Sequence, residues 1–301
     1  MTTSLICSPT SVRVTSRGPA RRSPKPSRGG SRISRVQLVR YAFLVAYDGS
    51  RYFGFVRQPG RPTVEAELLR AFERLGLYRE LKEARYRVAA RTDRGVSAIG
   101  QVVALDVRRE PKVRELNAAL PRDIAVLAAA RVKPDFNPRT QAQSKHYRYV
   151  CEAPPGFDLP LARRAARLLE GSHDFEQFCK HERGRSTIGE FGHASVRGQK
   201  TLSFDFTARA FLWQQVRRMV GALLAVGTGK LSLDEFKRML EGQAKQAMRP
   251  VPAEGLILVS IRYPSVALGS SERAVSKFIK HLRDRAHPGY EAMARLLLKN
   301  W

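Results

Sequence analysis

Ala89-Ala90-Arg91-Thr92-Asp93-Arg94-Gly95-Val96-Ser97-Ala98-Ile99-Gly100-Gln101-Val102-Val103-Ala104-Leu105 reads as a charged loop feeding into an apolar run with strand character. One carboxylate, Asp93, stands between two arginines and ahead of a glycine. Nearby cations favour the charged form of a carboxylate. Gly95 permits a bend, so the Asp93 side chain can point away from the strand that follows. On the residues alone two readings stand. One is a nucleophile or base presented on a loop by a rigid scaffold. The other is a turn aspartate in a surface salt bridge, since structural ion pairs perturb carboxylates too.

Outward from this loop, β-like and helix-like segments interleave. Val36 to Tyr47 is rich in β-formers and ends at Asp48-Gly49, a strand and a turn. Thr63 is placed to cap a helix through Leu75, with Val64, Leu68, Leu69, Phe72 and Leu75 at helical spacing and Gly76 closing it. Gln101 to Val107 reads as a strand, Val113 to Leu120 as a short helix, and Asp123 to Val132 as another strand. The second half repeats the first in kind. Lys145 to Val150 opens a β segment, Leu159 to Glu170 reads as a helix, and Lys200 to Ala208 alternates as a strand. Leu212 to Ala225 and Ser232 to Leu240 read as helices, and Leu256 to Tyr263 as the last strand. Two β-rich halves with intervening helices predict an α+β fold on a mixed, largely antiparallel sheet flanked by helices. The expected organisation is a basic tail over residues 1–36 and α+β halves over 37–138 and 139–265. A basic helical extension follows over 266–301.

The 301-residue chain has an ordinary apolar content of 43%, but 54 Lys and Arg face 27 acidic residues, a net charge of +27. That balance calls for a polyanionic partner: nucleic acid first, an anionic membrane surface second. Cys7, Cys151 and Cys179 form no C-x-x-C pair and no zinc-spaced cluster, which fits a reducing compartment. No apolar run has the length of a membrane span. The first 36 residues are Ser-, Pro-, Gly- and Arg-rich, and such a composition buries too little to repay its ordering entropy. They lack signal-peptide character and are similar in composition to a transit peptide, with the cytoplasm as the default location. No phosphate loop or other cofactor motif is present, so neither cofactor nor metal is expected.

Arg91-Thr92-Asp93-x-Gly95-Val96-x-Ala98-x-Gly100-Gln101-Val102 resembles the active-site motif of the tRNA pseudouridine synthase A family. Other segments follow in the family's order. They are Tyr52-Phe53-Gly54-Phe55 after the Asp48-Gly49 turn, Leu120-Pro121-Arg122-Asp123-Ile124-Ala125-Val126, and Phe136-Asn137-Pro138-Arg139. Then come Lys145-x-Tyr147-x-Tyr149, Gly171-Ser172-His173-Asp174-Phe175, Phe211-Leu212-Trp213-Gln214-Gln215-Val216-Arg217, and Pro252-Ala253-Glu254-Gly255-Leu256-Ile257-Leu258. The chain departs from the family at Ala90 and Ser97, neither of which touches the aspartate, and at Val56-Arg57, where the family's contacts are not carried over.

The resemblance implies a pseudouridine synthase fold of two ferredoxin-like halves. It implies that Asp93 is the essential catalytic residue, that Arg217 pairs with it, and that Tyr147 is the active-site tyrosine. Arginine suits that pairing because its fork grips a carboxylate bidentately and keeps its charge. Tyr147 and Tyr149 alternate onto one strand face, where an aromatic could stack under a base. Arg91 and Arg139 are candidate RNA contacts and Leu256 a candidate apolar wall, each with a bland reading as surface arginine or core leucine. Arg218, the next residue along the helix, is expected to face solvent or phosphate, and His173 to be structural. The implied activity is conversion of uridine to pseudouridine in the tRNA anticodon stem-loop, by a homodimer without cofactor. A non-catalytic RNA-binding protein or RNA chaperone is the alternative, and its mark would be loss of Asp93, Tyr147 or Arg217. A DNA-binding protein is suggested by charge alone.

Overall fold

In Val39–Tyr47 (β1), Phe43, Val45 and Tyr47 point to one side and Ala42, Leu44 and Ala46 to the other, and both sets are buried. A strand buried on both faces needs a layer on each side. The computed structural model describes residues 37–243, 247–285 and 287–300. The tail expected over residues 1–36 lies outside them.

After β1 come Val64–Arg74 (α1), Arg87–Val88 (β2), Ser97–Val107 (β3), Val113–Ala119 (α2), Ile124–Arg131 (β4) and Ser144–Glu152 (β5). Leu159–Leu168 (α3), Gly171–Asp174 (β6), Ile188–Phe191 (β7), His193–Gly198 (β8) and Thr201–Ala208 (β9) follow. The rest are Gln215–Gly227 (α4), Leu233–Leu240 (α5), Leu256–Arg262 (β10), Glu272–Arg283 (α6) and Pro288–Asn300 (α7). The main sheet has eight strands, with order β4-β1-β3-β10-β5-β9-β8 and β2 added beside β3. Every pairing in it is antiparallel except β10 with β3, where Ile257 faces Ser97 and Leu258 faces Ala98 in parallel. β6 and β7 form a separate hairpin. This is the mixed, mostly antiparallel sheet flanked by helices that the sequence pattern predicts.

One face carries the aromatic core. α1 lays Val64, Leu68 and Phe72 on it, with the Phe72 and Phe43 rings 5.0 Å apart. α3, α4 and α5 cover the same face beside β5, β9 and β8. The opposite face is lined by small residues (Ala42, Ala46, Ala104, Ala128), and α6 and α7 pack there through Val275, Phe278, Leu282, Met293 and Leu297. The basic C-terminal segment is therefore a third layer of the fold. Asp48, fully buried after β1, ties it down: the Tyr290 hydroxyl donates to Oδ1 at 2.9 Å, and His281 Nε2 and Arg285 Nε lie 3.3 Å from Oδ2. Among the described residues no helix is long and apolar enough to cross a membrane.

Two local expectations change. Thr63 does precede α1, but its hydroxyl makes no capping bond and is buried without a partner. The helix expected from Leu212 starts only at Gln215, since Gln214 adopts a left-handed conformation with φ of 60°. That turn leaves Trp213 outside the helix.

Asp205 on β9 is buried and meets His146 at 2.7 Å, Arg148 at 2.8 Å and Arg197 at 2.8 Å. Burial alone would push its carboxyl up, but hydrogen bonds from His146, Arg148 and Arg197 outweigh this and hold it well below the usual carboxylate range. A carboxylate depressed in the folded state stabilises above its unfolded pKa, about 3.9, and loses that contribution as pH falls toward the folded value. The urea midpoint is therefore expected to drop below about pH 4, and Asp205→Asn to flatten that drop. At pH 7 the substitution should cost about 3 kcal/mol, the low end for a broken buried pair because Arg197 is largely exposed. Urea titrations of both proteins from pH 7 to pH 2.5 check this.

Candidate active site

The backbone of the Asp93 loop is held from several sides. Gln101, a buried polar side chain in the otherwise apolar β3, donates from Nε2 to the Ala90 carbonyl at 2.7 Å and accepts from the Ala90 amide at 3.2 Å. Lys145 at the start of β5 donates to the Ala89 carbonyl at 2.8 Å. The Tyr47 hydroxyl bonds the Thr92 hydroxyl at 2.7 Å, and the Phe55 amide donates to the Thr92 carbonyl at 3.1 Å. Two glycines make this close approach feasible. Gly54 has φ of 98°, and a Cβ there would sit 2.9 Å from the Thr92 carbonyl oxygen. Gly95 has φ of 82°, which lets the Val96 amide donate back to the Asp93 carbonyl and close the bend. A loop so constrained holds its side chain in one place.

Asp93 does not pair with the arginines beside it in sequence. Its Oδ2 lies 3.2 Å from Nη1 of Arg217 on α4, a partner 124 residues along the chain. Arg94 instead stacks its guanidinium over Phe53, 4.3 Å from the ring centre. Arg217 is itself oriented, because its Nε donates to the Val251 carbonyl at 2.8 Å. The other oxygen, Oδ1, accepts from the indole Nε1 of Trp213 at 3.2 Å.

Tyr147 and Leu256 line the same cleft, a cavity of about 1850 Å³. Tyr147 is buried rather than laid open on a sheet face, and its ring packs edge-on against Phe211 at 5.0 Å. Burial, with Tyr47 and Asp93 nearby, pushes its phenol far up, so it stays protonated at neutral pH. Leu256 stands opposite Tyr149 at the start of β10. Tyr149 packs on Phe204 in the core. Arg91 and Arg139 are exposed along the cleft. Burial, with Arg139 and Arg185 nearby, pushes the Lys145 ammonium down to about 8. Arg218 departs from expectation: it is half-buried and donates to the Met248 carbonyl and to Gln214. His173 contacts the Glu170 carbonyl, a structural role.

The cleft therefore collects the Asp93 carboxylate held by Arg217 through a single nitrogen, a protonated tyrosine, an apolar wall and exposed arginines at its rim. The family model described as tRNA pseudouridine synthase matches residues 165–264. A tRNA pseudouridine synthase A from Thermococcus kodakarensis is 39% identical over 82% of this chain and 93% of its own length. The chain belongs to the tRNA pseudouridine synthase A family. Similar relatives of the same name come from Thermococcus onnurineus (37% identity, 86% of this chain and 97% of that protein) and Methanothermobacter thermautotrophicus (36%, 82% and 90%). Among solved structures, the archaeal box H/ACA sRNP Nop10-Cbf5 complex is matched at 13% identity over 61% of this chain and 53% of that chain. Its TM-score of 0.27 is too low to bear on the fold. Membership of the pseudouridine synthase family makes the protein an isomerase.

Three residues that build the site were not singled out by sequence reasoning. Gln101 had a signal, since a lone amide inside a buried apolar strand must find partners. Lys145 had a weaker one, a cation opening a strand. Trp213 had none, because its position depends on the left-handed Gln214. Gln101→Leu should leave the Ala90 amide and carbonyl without partners, at a cost of about 2 kcal/mol or more. A lower melting temperature and faster hydrogen exchange at the Ala90 amide are the expected readouts.

Proposed function

We propose that this protein isomerises uridine to pseudouridine in the anticodon stem-loop of tRNA, at positions 38 to 40, with Asp93 as the essential carboxylate. The observation that carries the reading is the Arg217–Asp93 pair, 3.2 Å long, inside a cleft that also holds Tyr147. The relatives' name supports tRNA as substrate, and the resemblance of the Asp93 motif supports the stem-loop positions and the residue roles.

The reaction breaks the N1–C1′ bond, turns the base, and forms a C5–C1′ bond. The C5 proton is lost and N1 gains one, so the sum is an isomerisation with no other reactant. A carboxylate serves this chemistry in two ways: by covalent attack on sugar or base, or by assisting glycal formation. In both, Arg217 keeps the carboxylate oriented, and a guanidinium that never deprotonates supplies constant electrostatic support. Tyr147 and Leu256 bound the space in which the freed uracil turns. The protonated phenol offers a flat face and a hydrogen-bond donor rather than a base.

A uridine in a stem must leave its stack to reach Asp93, at a cost of a few kcal/mol. Phosphate contacts from a basic surface offset that cost. Arg91 and Arg139, exposed at the rim, are the proposed contacts. A homodimer in the cytoplasm completes the reading, both on the resemblance.

Incubation with unmodified tRNA and mapping by carbodiimide-adduct primer extension tests it. Wild type should form pseudouridine at positions 38 to 40. Asp93→Asn should form none while keeping tRNA affinity within a few-fold. Arg217→Lys, which keeps the charge but loses the fork, should lower kcat by about 10²-fold, on the scale of a lost electrostatic donor. Activity surviving in Asp93→Asn would remove Asp93 from its role.

A further inference from the structure

We propose that Trp213 is a positioning residue for the isomerisation, its indole N–H holding Oδ1 of Asp93 while Arg217 holds Oδ2. The inference rests on the reading of Asp93 as the reacting carboxylate. It adds a second donor from a different kind of side chain.

Three observations meet at this residue. Trp213 is a large apolar side chain left 40% exposed beside the cleft, although the core is close by. Its Nε1 lies 3.2 Å from Asp93 Oδ1, and Arg217 Nη1 lies 3.2 Å from Oδ2, so each oxygen has its own donor. The residue after it, Gln214, has φ of 60°, one of only two non-glycine residues with positive φ among those described. A left-handed conformation in a non-glycine residue is a cost the surroundings must offset, and such residues gather at functional sites. Here the consequence is concrete. Had the helix run on from Leu212, Trp213 would follow the α4 surface; the left-handed turn directs it to the carboxylate instead.

The indole is also clamped on its other side. Lys180 Nζ sits 4.0 Å from the ring centre, and the Lys180 amide donates to the Trp213 carbonyl at 2.8 Å. A cation on the ring face and a backbone bond to the same residue restrict the indole to a narrow arc. A carboxylate held only by Arg217 could swing about its Cβ–Cγ bond. Held at both oxygens, it presents its remaining lone pairs in one plane. A bond of 3.2 Å is at the long edge for N–H···O, and bonds of this kind commonly tighten when the substrate enters. A donor supplied by a neutral ring adds no charge that would neutralise the carboxylate.

The test separates orientation from RNA contact. Trp213→Phe keeps an aromatic face for Lys180 but has no donor, and Trp213→His restores an N–H. Single-turnover rates with saturating enzyme report the chemical step, and filter binding reports tRNA affinity. The expected result is a rate lowered about tenfold in Trp213→Phe, with affinity changed less than twofold, and recovery of most of the rate in Trp213→His. Melting curves of both variants confirm folding, which a change at an exposed side chain should leave intact. A wild-type rate in Trp213→Phe overturns the proposal. So does an affinity loss that accounts for the whole effect, since that would make Trp213 an RNA contact. An active Asp93→Asn protein would instead overturn the reading of Asp93 itself, whatever Trp213 does.

Discussion

The parallel pairing of β3 with β10 is the constraint on which the site depends. β3 begins four residues after Asp93, and its first residues, Ser97 and Ala98, pair with Ile257 and Leu258. β10 in turn pairs antiparallel with β5, bringing Leu258 beside Tyr147. One sheet register thus fixes the loop from the first half of the chain against the strand that carries the tyrosine. α4 packs on the same face, and Arg217 reaches Asp93 from there. A slip of one residue in β3 would exchange its faces and turn the loop away.

The loop is then stiffened by buried polar side chains that bond to its backbone and to Thr92. Gln101, Lys145 and Tyr47 are buried, and each directs its polar end at the segment from Ala89 to Thr92. Burying an amide, an ammonium and a phenol is costly unless each is hydrogen-bonded, so the loop backbone and the side chains hold one another in place. Preorganisation of this kind lets a carboxylate stabilise a transition state without first rearranging. The third layer, α6 and α7, reinforces it from behind. Asp48, which anchors those helices through Tyr290, His281 and Arg285, adjoins Gly49, whose amide donates to Ser97 at the start of β3.

Asp93 shows how a site divides its electrostatics. The arginines beside it in sequence are placed outward, Arg94 on Phe53 and Arg91 at the cleft rim, free to meet a polyanion. The arginine that grips the carboxylate comes from the far half of the chain and is only 14% exposed. On the proposed reading, the cations that would attract RNA and the cation that would orient the reacting carboxylate are different residues. On that reading, salt would screen the exposed charge at the cleft without loosening the internal pair.

Much of this protein is determined by local sequence. The α+β class, most strand and helix positions and the basic character follow from periodicity, turn residues and composition, because each is set by neighbours within a few residues; the Asp93 motif is recognised by resemblance. The helical tail from Glu272 onward was legible as helix, but its place as a third layer was not, since an amphipathic stripe does not say which surface covers it. Pairing Arg217 with Asp93 was reached through resemblance, never through spacing. The Trp213 contact, the burial of Tyr147, the turn of Arg218 toward Met248 and the anchoring by Gln101 and Lys145 were decided only by the tertiary structure. The physical reason is the same in each case. These contacts join segments from 11 to 120 residues apart, and their geometry comes from sheet register and one left-handed residue, neither of which has a signature in the order of amino acids alone.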